Sequence, residues 1–243
     1  MNNERQNNYN ESYISSIELG RYTSKVFGWT FLGLMTTAIV VMLFIYGIAV
    51  APDTFGAAVM GAINAFFIVS IVQIVLVMSM SARIYKMRPA TAKILYLFYA
   101  ASMGIFFTAV TLTVALPVIG TAFMVTAVTF GIMAVYGVTT KQDLTRFGNI
   151  LMMGLIGMIV AIVINLFLGN DMLDMLITIV GIFLFLALTV YDTNRIRQNY
   201  YRSLSPAGEP TDLTENLAIF SALGLYLNFV NLFMYILRFL NRD

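Results

Sequence analysis

Residues Glu215–Phe239, ENLAIFSALGLYLNFVNLFMYILRF, decide how the chain folds. A helix of about 20 residues rising roughly 1.5 Å each crosses the hydrocarbon core of a bilayer, and this run is longer than that. Yet it carries Asn228 and Asn231 near its middle, with Gly224 one turn and Ser221 two turns before Asn228. Carboxamides turned to lipid at that depth are costly, because lipid tails offer no hydrogen-bond partner. The run is therefore expected as the central post of a helical bundle, with its polar side turned to an internal cavity and its neighbours supplying partners.

The rest of the chain can supply those neighbours. Of 243 residues, 60% are hydrophobic and 11% charged, against the roughly 25% charged of soluble domains, and the mean hydropathy is +0.85. The fold class is an all-α integral membrane protein. Apolar runs place seven spans, near Val26–Val50, Ala57–Met80, Thr91–Leu116, Val118–Val138, Phe147–Leu168, Met172–Tyr191 and Asn216–Phe239. Only Pro117 and Gly120 interrupt the third and fourth, whose joint length suits a tight hairpin better than one kinked helix. Residues 1–25 are a polar tail, irregular or at the surface, and 26–243 form one transmembrane domain. Ala49-Val50-Ala51 looks like a signal-cleavage site, but the apolar run before it is too long for a signal peptide.

Charge falls on alternate sides of these spans. Arg5, Arg21 and Lys25 precede span one; Arg83, Lys86, Arg88 and Lys93 follow span two; Lys141 and Arg146 follow span four; Arg195, Arg197 and Arg202 follow span six. Loops one, three and five hold no Lys or Arg, and two of them carry Asp53, Asp171 and Asp174 instead. Twelve of the fourteen basic residues thus share one side, and the positive-inside rule makes that side, with the N-terminus, cytoplasmic and the C-terminus external. Linker 203–214 joins spans six and seven, where Asp212 or Thr214 is placed to cap span seven. Small residues four apart, Ala57/Gly61/Ala65, Ala100/Gly104 and Ala127/Gly131, allow helices to approach closely within the bundle.

The chain has no Cys and no His, which removes thiol catalysis, disulfides, Ser–His dyads and His-ligated metals. No paired acids lie within a span, so an intramembrane enzyme is not expected, and neither is a bound cofactor. Span seven has no Lys for a retinal Schiff base. A net charge of +2 gives no reason to expect nucleic acid as a partner.

Asp192, in Tyr191-Asp192-Thr193-Asn194-Arg195, is the most informative acid. Two readings are open. It is an interfacial Asp paired with Arg195 one turn on, or it faces the interior, held by a cation and by a polar group of span seven. Asn228 lies about twelve residues, roughly 18 Å, into span seven, so Asp192 meets it only if it sits a turn or more inside the membrane. Arg83, at the end of span two, is at the right level to pair with Asp192, or it is ordinary positive-inside charge. Asn231, Ser221 and Tyr226 continue the polar seam of span seven, with interhelical hydrogen bonding or core packing as the plainer roles; Asn64, Gln73 and Asn165 are the amides of other spans. Asp171 and Asp174 are expected as a solvated outer pair. No set of ligands for a metal can be picked out.

Three segments carry a resemblance: GIMAVYGVTTKQDLTRFGNIL (Gly131–Leu151), VYDTNRIRQ (Val190–Gln198) and LGLYLNFVNLFMYILRF (Leu223–Phe239). With the spans in order, the chain resembles the transmembrane Bax inhibitor motif family, and its bacterial members above all. The resemblance implies seven transmembrane helices with the last enclosed by the other six, a bacterial inner-membrane location, and a pH-sensitive calcium leak. It also implies a sensor made of two aspartates that share a proton, one ending span six and one in span seven, with a span-two cation that latches onto them. Asp192 matches the first aspartate, and Arg83 matches the cation approximately. At the second position the family pattern Tyr-Leu-Asp-Phe is here Tyr226-Leu227-Asn228-Phe229. Two carboxylates repel and so raise one pKa into a useful range; an Asp–Asn pair does not. The expectation is a pH-influenced Ca²⁺ leak whose gate, Asp192, Asn228 and Arg83, is weakened or shifted. The alternative is a regulatory protein that acts by binding other membrane proteins, such as a quality-control protease or cell-death factors, without conducting ions.

Overall fold

The computed structural model describes residues 2–242 apart from positions 65, 141, 143 and 206–208; the side chains of residues 2–15, 62, 63, 66, 67 and 69 also lie outside the description. Ala65, Lys141, the centre of the 203–214 linker and the side chain of Arg5 are therefore outside the description. Among the described residues eight α-helices follow one another: α1 (Asn2–Val50), α2 (Pro52–Asn64), α3 (Phe66–Arg83), α4 (Pro89–Thr113), α5 (Leu116–Thr139), α6 (Gly148–Leu168), α7 (Asp171–Ser203) and α8 (Asp212–Leu240). Among the described residues, six of them are long and apolar enough to cross a membrane; α2 and α3 together cover the second expected span. This is a helical membrane protein.

The helix α8 is the core. In its most apolar stretch 72% of residues are buried, against 6–33% in the other five long helices. Its apolar residues cover nearly the whole circumference, as a helix surrounded by helices requires. Four helices touch it along its length: α1, α4, α5 and α7. An outer layer completes the bundle, with α6 against α7, α2 against α1 and α4, and α3 against α4. The lipid-facing helix α6 accordingly buries only Met158.

Three expectations change. The tail is not irregular along its length, since α1 begins at Asn2. The α4–α5 connection is short, with Pro117 in the first turn of α5, where a missing N–H costs nothing. But the two helices splay rather than form a tight hairpin, and both pack on α8. Phe107 of α4 and Phe123 of α5 pack their rings on Phe233 and Phe229, one turn apart on that helix, with centroids 5.6 and 5.8 Å apart. Third, α7 does not stop near Tyr191; it continues to Ser203.

Helix ends follow their local chemistry. Gly169 closes α6 in the left-handed region, at φ 59°, where a side chain would be strained. Asn170 then starts α7 by accepting the Leu173 N–H at 2.9 Å. Thr211, not Asp212, caps α8: its N–H donates to Thr214 Oγ1 at 2.9 Å, as in a capping box. Both hydroxyls donate to the Ser203 carbonyl, at 2.8 and 3.2 Å, which fastens the start of α8 to the end of α7.

Of the small-residue motifs, Ala100/Gly104 is a close packing site. A Cβ on Gly104 would fall 2.6 Å from Val40 Cβ on α1, and Thr37 Oγ1 donates to the Ala100 carbonyl at 2.9 Å. Gly61 and Gly131 have open space where a Cβ would be, so they do not mark close approaches.

Candidate functional site

The helices α7 and α8 run antiparallel and meet along a seam that repeats every seven residues, the length of two helical turns. Asn199 Nδ2 donates to Ser221 Oγ at 3.0 Å. Seven residues along each helix, Asn228 Nδ2 donates to Asp192 Oδ2 at 2.7 Å. Seven further, the rings of Phe185 and Tyr235 stack with centroids 5.7 Å apart. The polar members of the central post therefore face α7, as the spacing of Ser221, Gly224 and Asn228 on one helical face predicts.

The extra length of α7 is what brings Asp192 to Asn228. Eleven residues, roughly 16 Å of helix, separate Asp192 from the end of α7. Sixteen residues, roughly 24 Å, separate Asn228 from the start of α8. The carboxylate thus lies against α8, well short of the ends of both helices, and its partner is Asn228 rather than Arg195. Two glycines flank this part of α7. Gly224 sits across from it, where a Cβ would be 3.5 Å from Asp192 Oδ2. On the other flank, α5 presses in at Gly137, where a Cβ would be only 2.6 Å from the Val190 carbonyl oxygen and 2.9 Å from Thr193 Cβ. Asn228 is buried, and its carboxamide replaces the water that an exposed Asp would bind.

Arg195 makes no ion pair with Asp192. Its guanidinium lies over the Tyr191 ring, 5.4 Å from the centroid, and acts on Asp192 only through space. The structure does not bring Arg83 to the pair either. Arg83 is exposed at the end of α3, and the turn after it is pinned to the start of α8: Asn216 Nδ2 donates to the Ile84 and Met87 carbonyls at 3.0 and 2.7 Å. Asn216 is twelve residues from Asn228, roughly 18 Å along α8, farther than an Arg side chain reaches.

These features match a known family. Residues 19–243 fit the family model described as inhibitor of apoptosis-promoting Bax1. The chain belongs to the Bax inhibitor family. It is 35% identical over 227 residues to the inner membrane protein YbhL of Escherichia coli strain K12, covering 90% of this chain and 91% of that one. An uncharacterized protein of Borreliella burgdorferi is 34% identical over 222 residues, covering 91% and 92% of the two chains. A second uncharacterized relative, RP147 of Rickettsia prowazekii, is 37% identical over 155 residues, 64% of each chain.

In this Bax inhibitor-family chain the remaining predicted residues serve the seam and the core. Asn231 Nδ2 turns back onto its own helix, donating to the Leu227 carbonyl at 2.8 Å. Tyr226 is fully buried on the α1/α4 side; its hydroxyl is 2.8 Å from Thr37 Oγ1 and its ring meets those of Tyr96 and Tyr99 edge-on. It is a packing residue, one face away from Asp192.

Two charged clusters went unread in the sequence. At the start of α8, Glu215 Oε1 lies 2.6 Å from Lys93 Nζ and 3.2 Å from Lys25 Nζ, tying α8 to α4 and α1. At the other end, Asp174 is not a solvated acid: it pairs with Arg238, and with Arg242 at 2.6 Å. Each cluster joins residues far apart in sequence, and only the positive-inside pattern hinted that cations would crowd the first. Among the described residues no group of three or more acidic side chains comes together.

Proposed function

We propose that this protein is a Ca²⁺-permeable cation leak channel of the bacterial inner membrane, gated where α7 meets α8 at Asp192 and Asn228. The single observation that carries the reading is the 2.7 Å hydrogen bond between those side chains, partly buried between two long helices of the bundle. An acid kept inside a membrane bundle is costly and is retained where it handles ions or protons. The bond closes the seam; breaking it lets the helices part. Ionised Asp192 accepts from the amide NH₂. Protonated Asp192 donates to the amide oxygen once the carboxamide turns over. The contact therefore survives in both forms, so pH moves this gate less than it would move a pair of carboxylates.

The permeating ion finds amide and backbone oxygens along the seam rather than a cluster of carboxylates, which suits passage better than retention. Ca²⁺ is cargo here; the protein uses no cofactor and catalyses no reaction. The distribution of basic residues favours a cytoplasmic N-terminus and an external C-terminus. Arg83 joins the gate only in a second state in which the end of α3 has moved toward α7.

The test is Ca²⁺ entry into dye-loaded liposomes that hold the purified protein alone. The channel reading expects flux above that of empty liposomes, a severalfold rise for Asp192→Ala, and wild-type flux for Asp192→Asn, which keeps the hydrogen bond. No flux from the unmodified protein or the Ala variant would instead favour a protein that acts by binding other membrane proteins.

A further inference from the structure

The α1 and α5 helices both pack on α7 and α8, yet they do not pack along each other. The gap between them holds two adjoining cavities. One, of about 430 Å³, is an apolar crevice lined by Phe27, Phe130, Gly131 and Ala134. The other, of about 530 Å³, is polar and is lined by Gln142, Asn194, Arg197 and Gln198. Thr23 and Val138 line both, so one opens onto the other. We propose that this cleft binds one anionic glycerophospholipid of the surrounding bilayer, with an acyl chain in the crevice and the phosphate in the polar cavity beside Arg197.

Three observations commit the cleft to that occupant. The crevice opens sideways between two membrane-crossing helices, and exposed Val135 lines its wall, so whatever fills it comes from the lipid phase. It is apolar where a peptide would need partners for its backbone. In the polar cavity, Arg197 is the single ionisable residue among the described lining residues, and no described carboxylate pairs with it. A guanidinium with no described carboxylate paired to it, on the face that holds most of the basic residues, complements a phosphodiester. The wall beside it is fixed: Gln198 Nε2 donates to Thr145 Oγ1 at 2.8 Å, and Asn194 Nδ2 reaches the Gly137 and Gln142 carbonyls at 3.4 Å.

Gly131 supplies the means to test it. A Cβ there meets nothing within 4 Å, so Leu at 131 fills the crevice without moving backbone and replaces a helix-weakening residue. The full-length protein, purified in detergent, is titrated with phosphatidylglycerol or phosphatidylcholine of matched chains, and bound lipid is counted by native mass spectrometry. Phosphatidylglycerol is expected to be retained at least about fivefold better, through its charge-assisted contact. Arg197→Gln, at an exposed position, is expected to bring it down to the phosphatidylcholine level. Gly131→Leu is expected to lower retention of both lipids. Equal retention of the two lipids by the unmodified protein overturns the proposal. So does unchanged retention in either variant. Glycerol phosphate that raises the thermal midpoint as much as phosphatidylglycerol does would make this a soluble-phosphate site and would also overturn it.

Discussion

At each end of α8 a carboxylate faces two cations, whereas half-way along the same helix the carboxylate of Asp192 faces an amide. Glu215 meets Lys25 and Lys93, and Asp174 meets Arg238 and Arg242. Asp192 meets Asn228. The difference follows from solvation. Near the ends, long basic side chains keep their heads in water while reaching an acid, so a charge pair forms cheaply and contributes little. Inside the bundle, a cation would have to shed its water to get there. A neutral amide gives the carboxyl group a partner in either protonation state without bringing a second charge. The ends hold the helices in place by charge; the middle holds them by a hydrogen bond that geometry has to protect.

That comparison makes the middle more sensitive than the ends. Gly137→Ala should have the largest effect on folding, because the new methyl meets the fixed Val190 carbonyl and shifts α7 beside Asp192. Overpacking of this kind costs about 2–3 kcal/mol, read as a lowered thermal midpoint in detergent. Asp192→Leu comes next: it leaves the buried Asn228 NH₂ without its acceptor, at about 1–2 kcal/mol, while Asp192→Asn should unfold within about 0.5 kcal/mol of the unmodified protein, since an Asn pair keeps a hydrogen bond. The ends give the smallest change. Glu215→Gln should cost under about 1 kcal/mol, and raising the salt should shrink even that difference. A Glu215 variant less stable than the Asp192→Leu variant would break the comparison.

Much of this is legible in the amino-acid sequence. The two amides in an otherwise greasy run place α8 at the centre, because only a surrounded helix tolerates them. Asp192 stands out as an acid directly after an apolar run. Its depth was not legible. The polar run Thr193–Arg202 looks like a loop by hydropathy, yet it continues α7 for nearly three turns, because Ile196 and Tyr200 stay buried on one face. That periodic signal was present but faint among the charges. The position of Arg83 was hidden for another reason: Asn216 fastens the turn after α3 far from the pair, and a contact between residues more than 120 apart leaves no local trace. The Glu215 and Asp174 clusters escaped in the same way. The splay of α4 and α5 was not legible either, since a short connection fixes their order but not how closely they pack along each other.

The claim that matters most is that a neutral partner at position 228 sets how the gate answers to pH, and the most direct measurement is Ca²⁺ flux in dye-loaded proteoliposomes, compared between the natural protein and Asn228→Asp. The natural protein should change by less than about twofold from about pH 6 to about pH 8, because its contact persists with Asp192 ionised or protonated. Asn228→Asp puts two carboxyl groups in hydrogen-bond contact. They hold together while they share a proton and repel when both ionise, so its flux should rise at least about fivefold over that range. A steep rise already present in the natural protein and left unaltered by Asn228→Asp would contradict the account.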